Sequence, residues 1–142
     1  MKNYFKILGK TFILLAALLT VTACDTDDDI NAIFREQTWF LTYVQDGNTQ
    51  RTPEKNIYSI DFKNDNFTAT MPNGATINGK WNANGDKSHS FTCRNITTTG
   101  TINGDIIAEK ILNILTNAKR YSGDTNWLQI IQDKSNYMQL YN

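Results

Sequence analysis

A histidine and a cysteine lie four residues apart in one short segment, and such a pair could form a nucleophile and its base. His89 is the only histidine of the chain, and Cys93 follows it in the segment Ser-His-Ser-Phe-Thr-Cys-Arg. His89, Phe91 and Cys93 alternate with other residues, a pattern typical of one face of a β-strand. Along a strand the two side chains would be about 13 Å apart, whereas a catalytic pair needs roughly 3 Å. The strand prediction therefore argues against a Cys–His enzyme and favours a buried, inert Cys93.

The residue types of the chain give little support for other catalytic or metal-binding sites. A zinc site needs three or four ligands, and only His89 and Cys93 are available if Cys24 is committed elsewhere. Glycosidases use a pair of carboxylates at a set separation, and the spacing singles out no pair. The carboxylates considered for such a pair are Asp61, Asp65, Asp105 and Glu109. We therefore expect no cofactor, no metal site and no catalytic residues, with a hydrolase as the third-ranked function.

The amino-terminal segment has the features of a secretory signal. Lysines at positions 2, 6 and 10 precede a short apolar run, and small residues follow it. The run is shorter than the roughly 20 residues of a transmembrane helix. It ends in Val-Thr-Ala-Cys, which resembles the lipobox of bacterial lipoproteins, and the resemblance implies that residues 1–23 are removed and that Cys24 is acylated. An ordinary signal peptide with a chance cysteine is the alternative. Two or more acyl chains would make a stable anchor.

Four aspartates follow this cysteine closely, at Asp25, Asp27, Asp28 and Asp29. The run resembles the surface-export signal of lipoproteins in one phylum of Gram-negative bacteria, which implies display on the outer face of the outer membrane. A calcium site is an alternative, but the glycine and the distant bidentate glutamate of a calcium loop are missing. A plain solvated linker is the other alternative. We predict a lipidated cysteine and an acidic tether over residues 24–35, with the periplasmic face as the alternative location.

The charge of the chain argues against nucleic-acid binding. The whole chain has 14 basic and 14 acidic residues. Three lysines fall in the predicted signal peptide, which leaves 11 basic residues, and four acids fall in the aspartate run, which leaves 10. The folded part is thus nearly neutral and has no basic stripe, whereas nucleic-acid binding requires clustered lysine and arginine that neutralise phosphates.

The remaining chain, residues 36–142, is long enough for one domain with its own core. Alternating apolar and other residues, separated by turn sequences such as Asn-Gly, predict a meander of short antiparallel strands. Trp39 and Trp81 share strand faces with apolar neighbours, so we expect both of them in the core.

Two segments have helical rather than strand periodicity. The spacing of Ile30, Ile33 and Phe34 predicts a short helical turn that packs on the domain. Branched aliphatic residues after Asn103-Gly104-Asp105, a segment that can supply the cap, predict one longer helix that starts near Asp105. The predicted fold class is α+β, mainly β: a curled antiparallel sheet of about seven strands, partly barrel-like, with one α-helix before the last two strands.

Several segments of residues 36–141 carry a further pattern. They are Trp39-Phe40-Leu41, Gly74 to Trp81, Glu109 in a helix ending near Leu115, Tyr121-Ser122-Gly123-Asp124 and Leu128-Gln129-Ile130. Together they resemble the META domain, a lipocalin-like fold of bacterial envelope proteins. The resemblance implies an envelope or stress-related role without established catalytic residues. The chain departs from the family at Ala75-Thr76, where the family has Cys-Asn, and it lacks the family's second cysteine, so roles tied to those groups do not carry over.

The candidate contact surface consists of Trp127, Tyr137 and Tyr141. They are out of phase with the aliphatic residues of the last two predicted strands. An exposed aromatic strip could bind a protein or a glycan; equally, the rings could face the core and the aliphatic residues the helix. We predict a non-catalytic binding or accessory module anchored in the cell envelope. The runner-up is a periplasm-facing lipoprotein of the envelope-maintenance or inhibitor type.

Overall fold

A computed structural model of the protein describes residues 27–142. The predicted signal peptide, Cys24 and Asp25 lie outside the described residues. The predicted division between a tether over 24–35 and a domain over 36–142 stays a prediction.

Nine strands and one long helix follow a short π-helical turn at Asn31–Arg35. The strands before the helix are β1 (Thr38–Asp46), β2 (Thr49–Arg51), β3 (Ser59–Lys63), β4 (Asn66–Thr70), β5 (Thr76–Ala83) and β6 (Phe91–Thr99). The helix α1 (Ile106–Asn117) then precedes β7 (Arg120–Gly123), β8 (Trp127–Asp133) and β9 (Asn136–Tyr141). The mainly β fold with a single long helix near the carboxyl terminus, as described over these residues, is confirmed.

All strands belong to one antiparallel sheet in the order β6-β5-β4-β3-β1-β9-β8-β7, with β2 paired beside β1. The sheet curls until its two edges meet at one point, where Ser90 and Arg120 form an isolated bridge. The amide of Phe91 donates to the carbonyl of Lys119 there, and the amide of Tyr121 donates to that of His89. The partly barrel-like shape is therefore confirmed.

The structure has two short strands more than the sequence predicts. β2 lies in a segment that its polar residues and Pro53 mark as a loop, and it pairs only with the last three residues of β1. β7 lies between the helix and the last hairpin, so three strands follow the helix instead of two. Strands of three or four residues contain too few alternations for a period of two to be visible.

The core lies inside the curl, where α1 packs against the concave face of the sheet. Trp39 and Trp81 are both buried, as predicted. The π-helical turn packs on this core and buries Ile33 and Phe34, as the spacing predicts. Phe34 is fully buried, with its ring centroid 5.0–5.5 Å from four other rings. We call these five rings the inner aromatic cluster: Phe34, Phe62, Trp81, Phe91 and Tyr121.

A β-bulge changes the phase of β1. The register with β9 shifts between Leu41 and Tyr43, so one extra residue lies in β1 there. Without a bulge, alternation along the strand would place Tyr43 on the same face as Trp39 and Leu41. Because of the bulge, Val44 is the next buried residue and Tyr43 is only partly buried.

The helix is capped as the sequence predicts. The carboxylate of Asp105 accepts a hydrogen bond of 2.9 Å from the amide of Ala108, which satisfies one of the free amides of the first turn. The buried helix residues are Ala108, Ile111, Ile114 and Leu115. Ile106 and Lys110 have the spacing of this buried side, but Ile106 is 55% exposed. Lys110 instead donates bonds of 2.8 and 2.7 Å to Asp46 and Asn136.

The alternating strands give the barrel two distinct ends. One end holds the turns at 64–65, 84–90 and 124–126, and we call it the tether end because Asp28 bonds to Gly85 there. The other end, the far end, holds the turns at 47–48, 71–75, 100–105 and 134–135. Two bonds of 2.8 Å join the far-end turns, one from Gly47 to Ser135 and one from Asn73 to Thr101. β5 connects the two ends directly.

Candidate functional site

Aromatic side chains project from the outer face of three neighbouring strands, β1, β9 and β8. At the tether end, Tyr141 of β9 is paired in register with Trp127 of β8 on one side and Phe40 of β1 on the other. The Phe40 and Tyr141 ring centroids are 6.0 Å apart. Trp127 is 39% exposed. Strand phase explains the arrangement, because Leu128 and Leu140, the adjacent residues in sequence, are fully buried.

A second pair of rings extends this face toward the far end. Tyr43 and Tyr137 meet edge-on with centroids 6.1 Å apart. Burial and the neighbouring Tyr137 phenol raise the pKa of Tyr43, so the Tyr43 hydroxyl stays protonated and can donate a hydrogen bond at neutral pH. The Gln129 amide donates a bond of 2.9 Å to the Gln139 carbonyl between the two groups of rings.

We call this surface the aromatic face. It consists of the amide side chains of Gln129 and Gln139 and of five rings: Phe40, Tyr43, Trp127, Tyr137 and Tyr141. None of its side chains carries a formal charge. The sequence prediction named the last three rings and missed the two on β1. Phe40 is out of phase with the buried Trp39 and Leu41 and could have been found by that signal. Tyr43 could not, because its orientation depends on the bulge.

His89 and Cys93 differ from their predicted geometry. His89 lies before β6 with a φ of 46°, in the left-handed region that interrupts a strand, so the prediction that it shares a strand face with Cys93 is wrong. Its Nε2 is 3.2 Å from an Asp28 carboxylate oxygen. Burial raises the pKa of the Cys93 thiol to about 12. Cys93 therefore stays a thiol at neutral pH, and a thiol is a weak nucleophile.

Asp28 connects the acidic run to the barrel. Its amide donates a bond of 2.8 Å to the Gly85 carbonyl. Its carboxylate accepts a bond of 2.7 Å from the Tyr121 hydroxyl and also faces His89. Burial and this carboxylate raise the pKa of Tyr121. Asp28 is thus part of the domain surface at the tether end.

The two neighbouring aspartates differ from Asp28. Asp29 accepts bonds of 3.0 and 3.1 Å from the amides of Asn31 and Ala32 and so begins the π-helical turn. Asp27 is exposed. Over residues 27–142, no group of three or more histidine, cysteine or acidic residues could hold a metal ion.

The carboxylates considered for glycosidase chemistry have separate structural roles. Asp61 accepts a bond of 2.6 Å from Thr38 on the sheet. Asp105 accepts one of 2.7 Å from Tyr58 at the far end, and burial together with Asp105 raises the pKa of Tyr58. Glu109 accepts one of 2.9 Å from the Gly104 amide. Asp65 lies in the turn between β3 and β4 at the tether end, away from Asp105.

An open depression of 660 Å³ lies at the far end, between β2 and the start of α1. Gln50, Arg51, Asp105 and Ile106 contribute to its lining. Asp105 caps the amide of Ala108, and Glu109 accepts a bond from the Gly104 amide just before the helix. Both carboxylates place negative charge at the helix start, which disfavours an anion there.

No helix among residues 27–142 is both long and apolar enough to cross a bilayer.

Comparisons with known proteins place the chain in a family. No curated protein matches it. A solved structure described as a crystal structure of a DUF4847 family protein from Bacteroides vulgatus ATCC 8482 is similar over 80% of this chain and 96% of that one, at 24% identity and a TM-score of 0.59. That likeness supports the fold. The model of the family described as "Domain of unknown function (DUF4847)" matches residues 25–142, which is most of the sequence, and the chain therefore belongs to the DUF4847 family.

Proposed function

We propose that the protein is a non-catalytic binding module of the cell envelope, anchored by acylated Cys24 and displayed on the outer surface of the outer membrane. Its sequence resemblance to META-like, lipocalin-like envelope domains supports an envelope role. The observation that carries the binding role is the aromatic face, where Trp127 is 39% exposed beside Tyr141 and Phe40.

A neutral glycan fits the chemistry of this face best. Sugar rings have an apolar face of C–H groups and a polar edge of hydroxyls. An exposed indole ring can cover the apolar face, because aromatic side chains supply a large apolar area with little loss of conformational freedom. The Gln129 and Gln139 amides and the tyrosine hydroxyls both donate and accept hydrogen bonds. The face has no charge, so it offers no specific attraction to a charged partner.

The proposed absence of catalysis is supported by the state of the best candidate residues. Cys93 has a pKa raised to about 12 by burial, and His89 faces Asp28 at the tether end. The carboxylates considered for hydrolysis are bound to backbone amides or hydroxyls in different parts of the domain.

A glycan array of neutral oligosaccharides tests the binding role, with the full chain in detergent micelles as the probe. We expect the wild-type chain to bind at least one neutral oligosaccharide and Trp127→Ala to weaken that binding about tenfold, which is about 1.4 kcal/mol. Ile106→Ala is the matched control, because Ile106 is the other exposed large apolar residue among residues 27–142 and lies at the far end. Equal binding by wild type and Trp127→Ala, or binding only to a protein partner, would contradict the glycan assignment.

Anchorage and display have separate tests. Mass spectrometry of the amino-terminal peptide should find acyl chains on Cys24, and Cys24→Ala should release the chain from the membrane fraction. Protease treatment of intact cells should remove the domain. Survival of the domain in intact cells, with digestion after lysis, would move it to the periplasmic face.

A further inference from the structure

The contacts of Asp28 limit how far the barrel can lie from the predicted lipid anchor. Three contacts hold this residue to the tether end: its amide bonds to Gly85 at 2.8 Å, and its carboxylate bonds to Tyr121 at 2.7 Å and lies 3.2 Å from His89. The partners come from two different parts of the chain, the turn at 84–90 and β7. Asp28 is therefore a fixed point of the domain, although it lies only four residues after Cys24.

The reach of this connection is shorter than the barrel. Four residues span at most about 14 Å when fully extended. β5 has eight residues, and a strand of that length spans about 26 Å. A chain fixed at Cys24 therefore keeps the tether end within about 14 Å of the bilayer. An inverted barrel, with its far end on the bilayer, would place the tether end beyond this reach.

Without Asp28 the geometry would be different. The next residue along the chain that packs on the core is Ile30. The six residues from Cys24 to Ile30 span up to about 21 Å. That reach is about one and a half times the reach to Asp28, so the tether end could rise and tilt farther. The Asp28 contacts therefore shorten the connection and hold the tether end closer to the membrane.

We propose that Asp28 docks the tether end of the barrel on the headgroup layer of the membrane that carries Cys24, and that the far end points into the aqueous phase. The partner of the tether end is thus a lipid surface. This inference rests on the lipid anchor of the proposed function. The exposed residues of the tether end suit polar headgroups because they are polar and carry both signs of charge: Lys63, Asn64, Asp65, Asn84, Ser88, Asp124 and Asn126.

The orientation has a consequence for the aromatic face. Trp127, Tyr141 and Phe40 lie at the tether end, and Tyr137 and Tyr43 lie farther along the same three strands. The face therefore stands upright on the membrane with its lower rings near the headgroups, where tryptophan and tyrosine are readily accommodated. A ligand must approach it from the side.

Two labelled variants test the orientation. Asn126→Cys at the tether end and Asn103→Cys at the far end replace exposed turn asparagines, each in a Cys93→Ser background so that the new thiol is the only reactive one. The acylated full chain, labelled with a small fluorophore, is placed in phosphatidylcholine vesicles that contain a nitroxide-headgroup lipid. We expect at least threefold stronger quenching at position 126 than at position 103. Equal quenching, or stronger quenching at 103, overturns the proposal.

Two further variants test the role of the short connection. Ten Gly-Ser residues inserted between Thr26 and Asp27 extend the reach to about 49 Å, and the difference in quenching should disappear. Asp28→Ala removes the carboxylate contacts and should reduce the difference at least twofold, whereas Asp27→Ala, at the exposed neighbouring aspartate, should leave it unchanged. A difference that persists after the insertion contradicts the reach argument.

Flotation of the same vesicles separates this inference from the proposed function. A chain that does not float with the vesicles and carries no acyl group on Cys24 refutes the lipid anchor, and the orientation falls with it. A chain that is acylated and floats, yet shows equal quenching at both positions, refutes the orientation alone.

Discussion

The inner aromatic cluster and the aromatic face each contain five rings, but the first is buried in the core and the second lies on the outer face of the sheet. The inner rings surround Phe34, which is fully buried, and their centroids approach it to 5.0–5.5 Å. The outer rings meet at 6.0–6.1 Å, and Trp127 among them is 39% exposed. The residue types are similar, and strand phase separates them. Aromatic residues in this fold therefore stabilise the domain or offer a contact surface according to the sheet face that they occupy.

Among the substitutions that test this comparison, Phe34→Ala should cause the largest loss in the free energy of unfolding. Removing a fully buried phenylalanine leaves a cavity inside the inner aromatic cluster, and such changes cost about 3–5 kcal/mol. The free energy of unfolding, from urea denaturation followed by circular dichroism, measures this loss. Phe34→Leu is the control and should lose less than Phe34→Ala. A loss below about 1 kcal/mol for Phe34→Ala would show that the π-helical turn is not part of the cooperative core.

The reactivity of Cys93 reports on the edge of the inner cluster, because Cys93 is paired in register with Trp81. Burial raises the pKa of this thiol to about 12, and only the thiolate reacts with iodoacetamide. At pH 8 we expect alkylation of the native domain to be at least a hundredfold slower than alkylation in urea. Equal rates under the two conditions would mean that the cluster opens easily at β5 and β6.

Tyr121→Phe tests the one ring that links the inner cluster to Asp28. The ring and its packing remain, and only the hydroxyl bond of 2.7 Å to the carboxylate is lost. Because Asp28 is partly exposed, we expect a cost of about 1 kcal/mol, near the average for a hydrogen bond. Urea denaturation measures it. Tyr58→Phe removes a similar bond to Asp105 at the far end and provides a matched comparison. A loss above about 3 kcal/mol would place the Asp28 contact inside the cooperative core.

Trp127→Ala should have the smallest effect on stability. Its ring lies on the outer face, and surface substitutions usually change the free energy of unfolding by about 0.5 kcal/mol or less. The same denaturation assay provides the measurement, next to the much larger loss in Phe34→Ala. A loss of about 2 kcal/mol or more at position 127 would show that the aromatic face is a structural element instead of a free surface.

Much of the fold could be predicted because it depends on local patterns. Trp39 and Trp81 could be assigned to the core from alternation, and the cap at Asp105 from residue type next to a helical pattern. The bulge after Leu41 could not be predicted, because no residue in that segment has a strong preference for it. The reversal of phase at Tyr43 and Val44 followed from this missed bulge.

The contacts around Asp28 could not be predicted for another reason. Asp28 and Tyr121 are 93 residues apart in the chain, and an aspartate in an acidic run is usually solvated. The left-handed conformation of His89 also has only a weak local signal, because histidine is enriched at positive φ but adopts it far less readily than glycine does. Both depend on the closure of the sheet, which is a property of the whole chain.

The position of β9 has a consequence for the order of folding. The last strand of the chain lies between β1 and β8 and pairs with both of them. The amino-terminal and carboxyl-terminal halves of the sheet therefore join through residues 136–141 on one side and at the Ser90–Arg120 bridge on the other, so the barrel cannot close until residues 136–141 have been synthesised. Contacts of such long sequence separation slow folding. A nascent chain without these six residues lacks the strand that pairs with both β1 and β8, so we expect it to close its barrel only after residues 136–141 leave the ribosome.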